Sequence, residues 1–138
     1  MGVGWAALLI LSAVPCHADE LLTLRSQVAP TRFSTSLSAE DAAWLQQQDG
    51  LVIGVWGDDF APIQFRSDPH TLQGVVADHL VLLGNALGTP VHARWFVDRD
   101  AALAALRQHT VAAVSVFANP GDEGGLQTTD PYLSVPLA

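Results

Sequence analysis

From Leu51 onward the chain alternates unbroken apolar runs with segments whose apolar residues recur every three or four positions. That alternation restricts the fold more than any other feature. Leu51-Val52-Ile53-Gly54-Val55-Trp56 is a near-continuous apolar run, which suits a strand buried on both faces, as in a parallel sheet. Gly74 to Leu87 reads as a helix with Val76, Leu80, Leu83 and Leu87 along one face, the spacing of an amphipathic helix. Gly88 stands where a left-handed residue ends such a helix, and Pro90 stops it from continuing. Val91 to Val97 is a second strand. Asp98 caps a second helix, Arg99 to Gln108, with Ala102, Leu103 and Leu106 turned inward. Val111 to Phe117 is a third, buried-type strand, and a polar, Gly-rich loop runs from Asn119 to Gly125. Strand, helix, strand, helix, strand of this composition predicts parallel pairing through right-handed crossovers. A sheet of this kind binds ligands at the C-terminal ends of its strands. The residues to watch are therefore Trp56 to Phe60, those after Val97, and Phe117 to Asn119.

The segment before Leu51 reads differently. Trp5 to Leu11 is a short apolar run, too short to span a bilayer. It leads to Cys16-His17-Ala18, a small-x-small pattern of the kind signal peptidase cuts. A signal peptide over residues 1–18 is expected, with the mature chain starting at Asp19. Pro15 directly before Cys16 fits a lipoprotein signal poorly. Cys16 is the one cysteine of the chain, so the mature protein is expected to have neither disulfides nor thiol chemistry. Residues 19–50 hold a short extended run, Leu21 to Leu24, a linker from Val28 to Ser36, and a helix from Ala39 to Gln47. Ser38 is its N-cap with Asp41 at the third helical position. Ala43 and Trp44 are among its apolar residues, and Asp49-Gly50 ends it.

Composition excludes several functions. The net charge is -8, from 14 acids against six arginines and no lysine. Nucleic acid and anionic membrane surfaces both require clustered positive charge, so neither is an expected partner. Hydrophobic residues make up 49% of the chain, enough for a packed core and too many for disorder. The sequence holds no Gly-x-Ser-x-Gly, no mature cysteine and no phosphate-cradling turn between strand and helix. His70, His79, His92 and His109 match no metal-ligand spacing. Catalytic residues, metal and cofactor are thus all expected to be absent. Asp58 and Asp59 are adjacent, so their side chains point apart and do not share a proton; a solvated turn is the ordinary reading. Phe60, Phe65 and Phe117 fall in loops after strands, where aromatics stack on a ligand or cover the edge of the core. Asn119 shares the last of these loops.

The residues also carry a family likeness. Leu51-Val52-Ile53-Gly54-Val55, Ala61-Pro62-Ile63-Gln64-Phe65, Gly74-Val75-Val76-Ala77-Asp78, Leu87-Gly88, Ala105-Leu106 with Val111, and Thr129-Asp130-Pro131-Tyr132 follow one another as in lobe 1 of a family 3 periplasmic solute-binding domain, the two-lobed Venus flytrap. Leu22-Thr23-Leu24, Ser26, Leu37-Ser38 and Trp44-Leu45 before the first strand resemble the N-terminal sensor region of BvgS/EvgS-like hybrid histidine kinases. The resemblance implies an α/β fold: a parallel-sheet lobe over residues 51–138, truncated before lobe 2. Asp130-Pro131-Tyr132 and the apolar Leu133 to Ala138 would then lead toward the missing lobe. It implies a periplasmic module that detects a small molecule by lobe closure. The parent protein would be anchored in the inner membrane, with a second lobe, membrane span and kinase downstream, and a homodimer as full-length sensor. It adds Asp78 to the candidate ligand contacts, beside Phe60, Phe65, Phe117 and Asn119, and places Asp130 and Tyr132 near the lobe crossover. One departure bears on the ligand. Where amino-acid-binding members carry an arginine that clamps the substrate carboxylate, this chain has Asn119-Pro120-Gly121-Asp122-Glu123-Gly124-Gly125. Amino-acid capture by this lobe is not expected. The alternatives are a binding subunit of an uptake system, the binding domain of an exported lytic transglycosylase, and a gene fragment.

Overall fold

The structure, a computed structural model, describes residues 20–29, 35–115 and 125–134. The signal peptide, Phe117 and Asn119 lie outside the described residues. The elements in chain order are β1 (Thr23–Leu24), α1 (Ala39–Gln46), β2 (Leu51–Trp56), β3 (Phe65–Asp68), β4 (Thr71–Gln73), α2 (Val75–Leu87), β5 (Val91–Phe96), α3 (Arg99–Arg107) and β6 (Ala113–Val114).

The described residues form two three-stranded sheets. The first has the order β5-β2-β6 and is parallel throughout. Its register sets Leu51 against Val91 and Trp56 against Phe96, with Ile53 against Ala113. The parallel α/β core expected from the alternation is present. The second sheet, β1-β4-β3, pairs β1 with β4 in parallel and β3 with β4 antiparallel. Among the described residues the two sheets meet at a bridge where the Leu22 N–H donates to the Ala93 carbonyl at 2.8 Å.

Helix ends follow the local chemistry. Ser38 Oγ accepts from the Asp41 N–H at 3.0 Å, and Asp98 Oδ1 accepts from the Ala101 N–H at 2.8 Å. Such caps satisfy N–H groups that the first helical turn leaves open. Gly88 closes α2 in the left-handed region, at φ 64°. The start of α2 has no side-chain cap. Its Val75 and Val76 N–H groups donate to the carbonyls of Pro62 and Ile63, at 3.2 and 3.0 Å. Gly74 makes this approach possible. Its φ is 100°, and a Cβ there would stand 2.6 Å from both carbonyl oxygens.

The main core lies between the sheets and α2. Leu22, Leu45, Leu51, Ile53, Val55, Leu72, Val76, Ala77, Leu80 and Ala93 form one buried cluster, with Leu87, Val91 and Trp95 packed against it. Val76 and Leu80 of the predicted α2 face are buried, while Leu83 is half-buried. Helix α3 packs on β2, β5 and β6 through buried Ala102, Leu103 and Ala105.

Several expectations need correction. The polar turn expected around Asp68-Pro69-His70 is present, but it joins two strands, β3 and β4, in a hairpin where no strands were expected. Its strands are short and polar on one side, so they lack an apolar run. Phe65 therefore opens a strand, paired with Gln73, instead of lying in a loop. Val97 falls outside β5 and is 82% exposed. The described part of the third parallel strand is Ala113–Val114. In α3, Ala105 is buried and Leu106 half-buried. In α1, Trp44 is 51% exposed and Leu45 is the buried residue. Neighbours on a helix point about 100° apart, so this short helix presents one of the two to the core.

Two substitutions test the architecture. Leu72, fully buried between β1 and β3, anchors the second sheet. Leu72→Ala is expected to lower the unfolding free energy by roughly 2–5 kcal/mol in a denaturant titration. Gly74→Ala places a methyl group against two carbonyls at a positive φ. A loss of about 2 kcal/mol or more is expected in the same assay, and an unchanged midpoint would mean that the loop does not cap α2.

Candidate functional site

The C-terminal end of the parallel sheet is formed by Trp56 of β2 and Phe96 of β5. Beyond Trp56 the chain turns through Gly57, Asp58 and Asp59 into a tight loop. The Phe60 N–H donates to the Gln64 carbonyl, and the Gln64 and Ile63 N–H groups donate to the Phe60 carbonyl at 2.8 and 2.9 Å. Gln64 is fully buried, and its side-chain amide donates to the Trp56 carbonyl at 2.9 Å. Its Oε1 has no hydrogen-bond partner among the described residues. This loop is thus bolted to the end of β2 by one buried amide, while Phe60 is held outward at 59% exposure.

Next to it lies a charged cluster. The backbone N–H of Arg66 donates to Asp59 Oδ1 at 2.8 Å. Its Nε reaches the same oxygen at 3.2 Å and Nη2 reaches Oδ2 at 3.5 Å. The guanidinium also lies over the Trp95 ring, 4.1 Å from its centroid. The side-chain hydrogen bond from Arg66, joined by its backbone N–H, holds the Asp59 carboxyl below its ordinary pKa of 3.8. Asp58 is exposed beside the pair. The arrangement offers an outward aromatic, an arginine held over an indole and an exposed carboxylate at Asp58. Those groups can stack on and polarise a small molecule. Among the described residues no cluster of His, Cys, Asp or Glu has a metal-binding arrangement.

The predicted residues divide. Phe60 lies at the sheet's C-terminal end, as expected. Phe65 is half-buried at the start of β3, directly before Arg66. Asp78 on α2 has a defined job: its Oδ1 accepts from Ser26 Oγ at 2.7 Å and from the Gln27 N–H at 2.8 Å, tying the N-terminal segment to the helix. Of the histidines, His70 pairs with Glu20 at 3.1 Å on the surface, and His109 takes a left-handed φ of 57° just past α3. Asp59 is engaged by Arg66 instead of being a plain solvated turn residue. Sequence reading missed Arg66, Trp95 and Gln64. A polar residue inside the otherwise apolar Ala61 to Phe65 run was the available sign for Gln64. Nothing local marks Arg66 or Trp95, which meet only through the fold.

Comparison with known proteins gives the fold an outside reference. No family model matches the chain. It is 25% identical over 119 residues to the virulence sensor protein BvgS of Bordetella pertussis, an alignment covering 86% of this chain and 10% of that protein. The crystal structure of the periplasmic domain of B. pertussis BvgS superposes with a TM-score of 0.61 at 25% identity, over 67% of this chain and 18% of that one. The chain folds like part of the BvgS periplasmic domain. It is an α/β, parallel-sheet lobe of the Venus flytrap kind. The chain spans about a tenth of the length of BvgS.

The Asp59–Arg66 pair has a pH signature. A carboxylate whose pKa is depressed by folding contributes stability above its unfolded value, here about 3.8, and loses it as pH falls through the folded value. Both side chains are partly exposed, at 36% and 45%, so the contribution is expected to be under about 1 kcal/mol. The stability difference between wild type and Asp59→Asn, followed by chemical denaturation, is expected to be present at pH 6, to shrink as pH falls below about 3.8 and to vanish below the folded-state value.

Proposed function

We propose that this chain is a periplasmic sensory lobe of a BvgS-like sensor kinase, which recognises a small molecule at the C-terminal edge of its parallel sheet. The observation that carries this reading is the coincidence of two things at one edge. The lobe has the BvgS periplasmic fold, and its strand ends hold an outward Phe60 beside an arginine already fixed on Trp95. A side chain fixed before binding loses less entropy when a ligand arrives. Detection would proceed by closure of a second lobe over this edge, since a ligand shifts such an equilibrium only by binding the closed state better. Export through the signal peptide and anchoring of the parent protein in the inner membrane belong to the same proposal. Neutral polar molecules suit an edge whose Arg66 is already paired with Asp59 and whose Asp58 is exposed better than anions do.

The test has two parts. Reading the gene beyond codon 138 is expected to reveal a second lobe, a membrane span and a kinase; a stop codon followed by no coding likeness would remove the kinase from the proposal. With the two-lobed protein in hand, a panel of small metabolites is screened by thermal shift. Phe60→Ala is expected to weaken binding of a hit at least tenfold, with unfolding free energy unchanged within about 0.5 kcal/mol because the side chain is exposed. Equal affinity of the variant would move the binding site elsewhere.

A further inference from the structure

Residues 125–134 return to the lobe at one point. The phenol ring of Tyr132 lies parallel to the imidazole of His79 on α2, with centroids 3.9 Å apart and planes 11° apart. Its hydroxyl is 3.0 Å from the hydroxyl of Ser115, just past β6. Among the described residues, these are the ring contact and the side-chain hydrogen bond that join this segment to the rest of the lobe. Every other residue from 127 to 134 is exposed, and Tyr132 itself is 44% exposed. Ser115, by contrast, is buried, so the hydroxyl contact is anchored on the rigid side. The segment is a strap with a single aromatic latch.

The partner of that latch is titratable. Burial pushes the His79 pKa below its ordinary 6.5. The charges around it do not offset this. On α2 the neighbouring Asp78 is occupied by Ser26 and Gln27. From the N-terminal segment the nearest charge in sequence is the exposed Arg25, and from the strap it is the exposed Asp130. On β5, Arg94 reaches the Thr110 carbonyl after α3, and His92 alternates to that same face. His79 forms no ion pair among the described residues. We propose that the strap is a proton-sensitive latch: Tyr132 docks on α2 while His79 is neutral and is released when His79 takes up a proton. A group whose pKa falls on docking stabilises the docked state above its free value, about 6.5. That stabilisation is lost as pH falls through 6.5 and levels off below the docked-state value. An imidazolium stacked on a phenol gains some cation–π attraction, which opposes this loss without reversing it. This inference concerns the strap alone and stands whether or not the lobe senses a small molecule.

Tyr132 is the chain's one tyrosine, so 3-fluorotyrosine gives a single fluorine signal on the full chain. Between pH 7.5 and 5.0 the docked-to-released ratio is expected to fall by up to about tenfold per pH unit below 6.5. Ser115→Ala should raise the released fraction at every pH. Proton NMR of His79 gives the reciprocal readout: its pKa is expected below 6.5 in wild type and raised toward 6.5 in Tyr132→Ala, because binding linkage works in both directions. A fluorine signal independent of pH, docking that strengthens in acid, or a His79 pKa unchanged by Tyr132→Ala would each overturn the proposal.

Discussion

The lobe depends on the way one loop closes the start of one helix. Four N–H groups at any helix N-terminus lack partners within the helix, and α2 has no side chain to serve them. The carbonyls of Pro62 and Ile63 take two. That pairing fixes the loop from Phe60 to Gln64 against α2, and the buried Gln64 amide fixes the same loop to the end of β2. The strand, loop and helix are therefore one rigid unit. Phe60 opens that loop and Arg66 follows it in β3, so the candidate site inherits its geometry from a backbone cap. Gly74 is the residue whose lack of a side chain permits the contact.

The parallel sheet was legible because buried strands need continuous apolar runs and helices need a 3.6-residue period. Leu51 to Trp56, the Val76 and Leu80 face, the Asp98 cap and the Gly88 terminus all carry those signals, and all are where their chemistry puts them. The second sheet was illegible for a related reason. Its strands are two to four residues long, and Arg66-Ser67-Asp68 has no apolar alternation to mark it. It holds together through Leu72 and a hairpin whose turn is marked by the Asp68 carboxylate accepting from the His70 N–H at 2.9 Å.

The candidate site was half legible. Phe60 follows a parallel strand, and topology alone places it at the ligand edge. Arg66 could not be placed without the hairpin, because β3 carries it back toward Asp59 and across Trp95. Asp78 shows the converse. Its position in the first turn of α2 fitted a helix-dipole role or a ligand contact equally well on sequence. The structure gives it Ser26 and Gln27, residues about fifty positions away that no local pattern connects to it.

The bridge between Leu22 and Ala93 joins the two sheets, and it also covers an exposed rim. β5 is an outer strand of the parallel sheet, and an outer strand offers a row of open N–H and carbonyl groups that can template pairing with another chain. The Leu22 N–H occupies the Ala93 carbonyl at the middle of that rim, with the Leu22 side chain buried beneath it. The N-terminal segment therefore acts as a guard against edge-to-edge self-association: a chain that lost it would present six consecutive strand residues, Val91 to Phe96, to any passing partner.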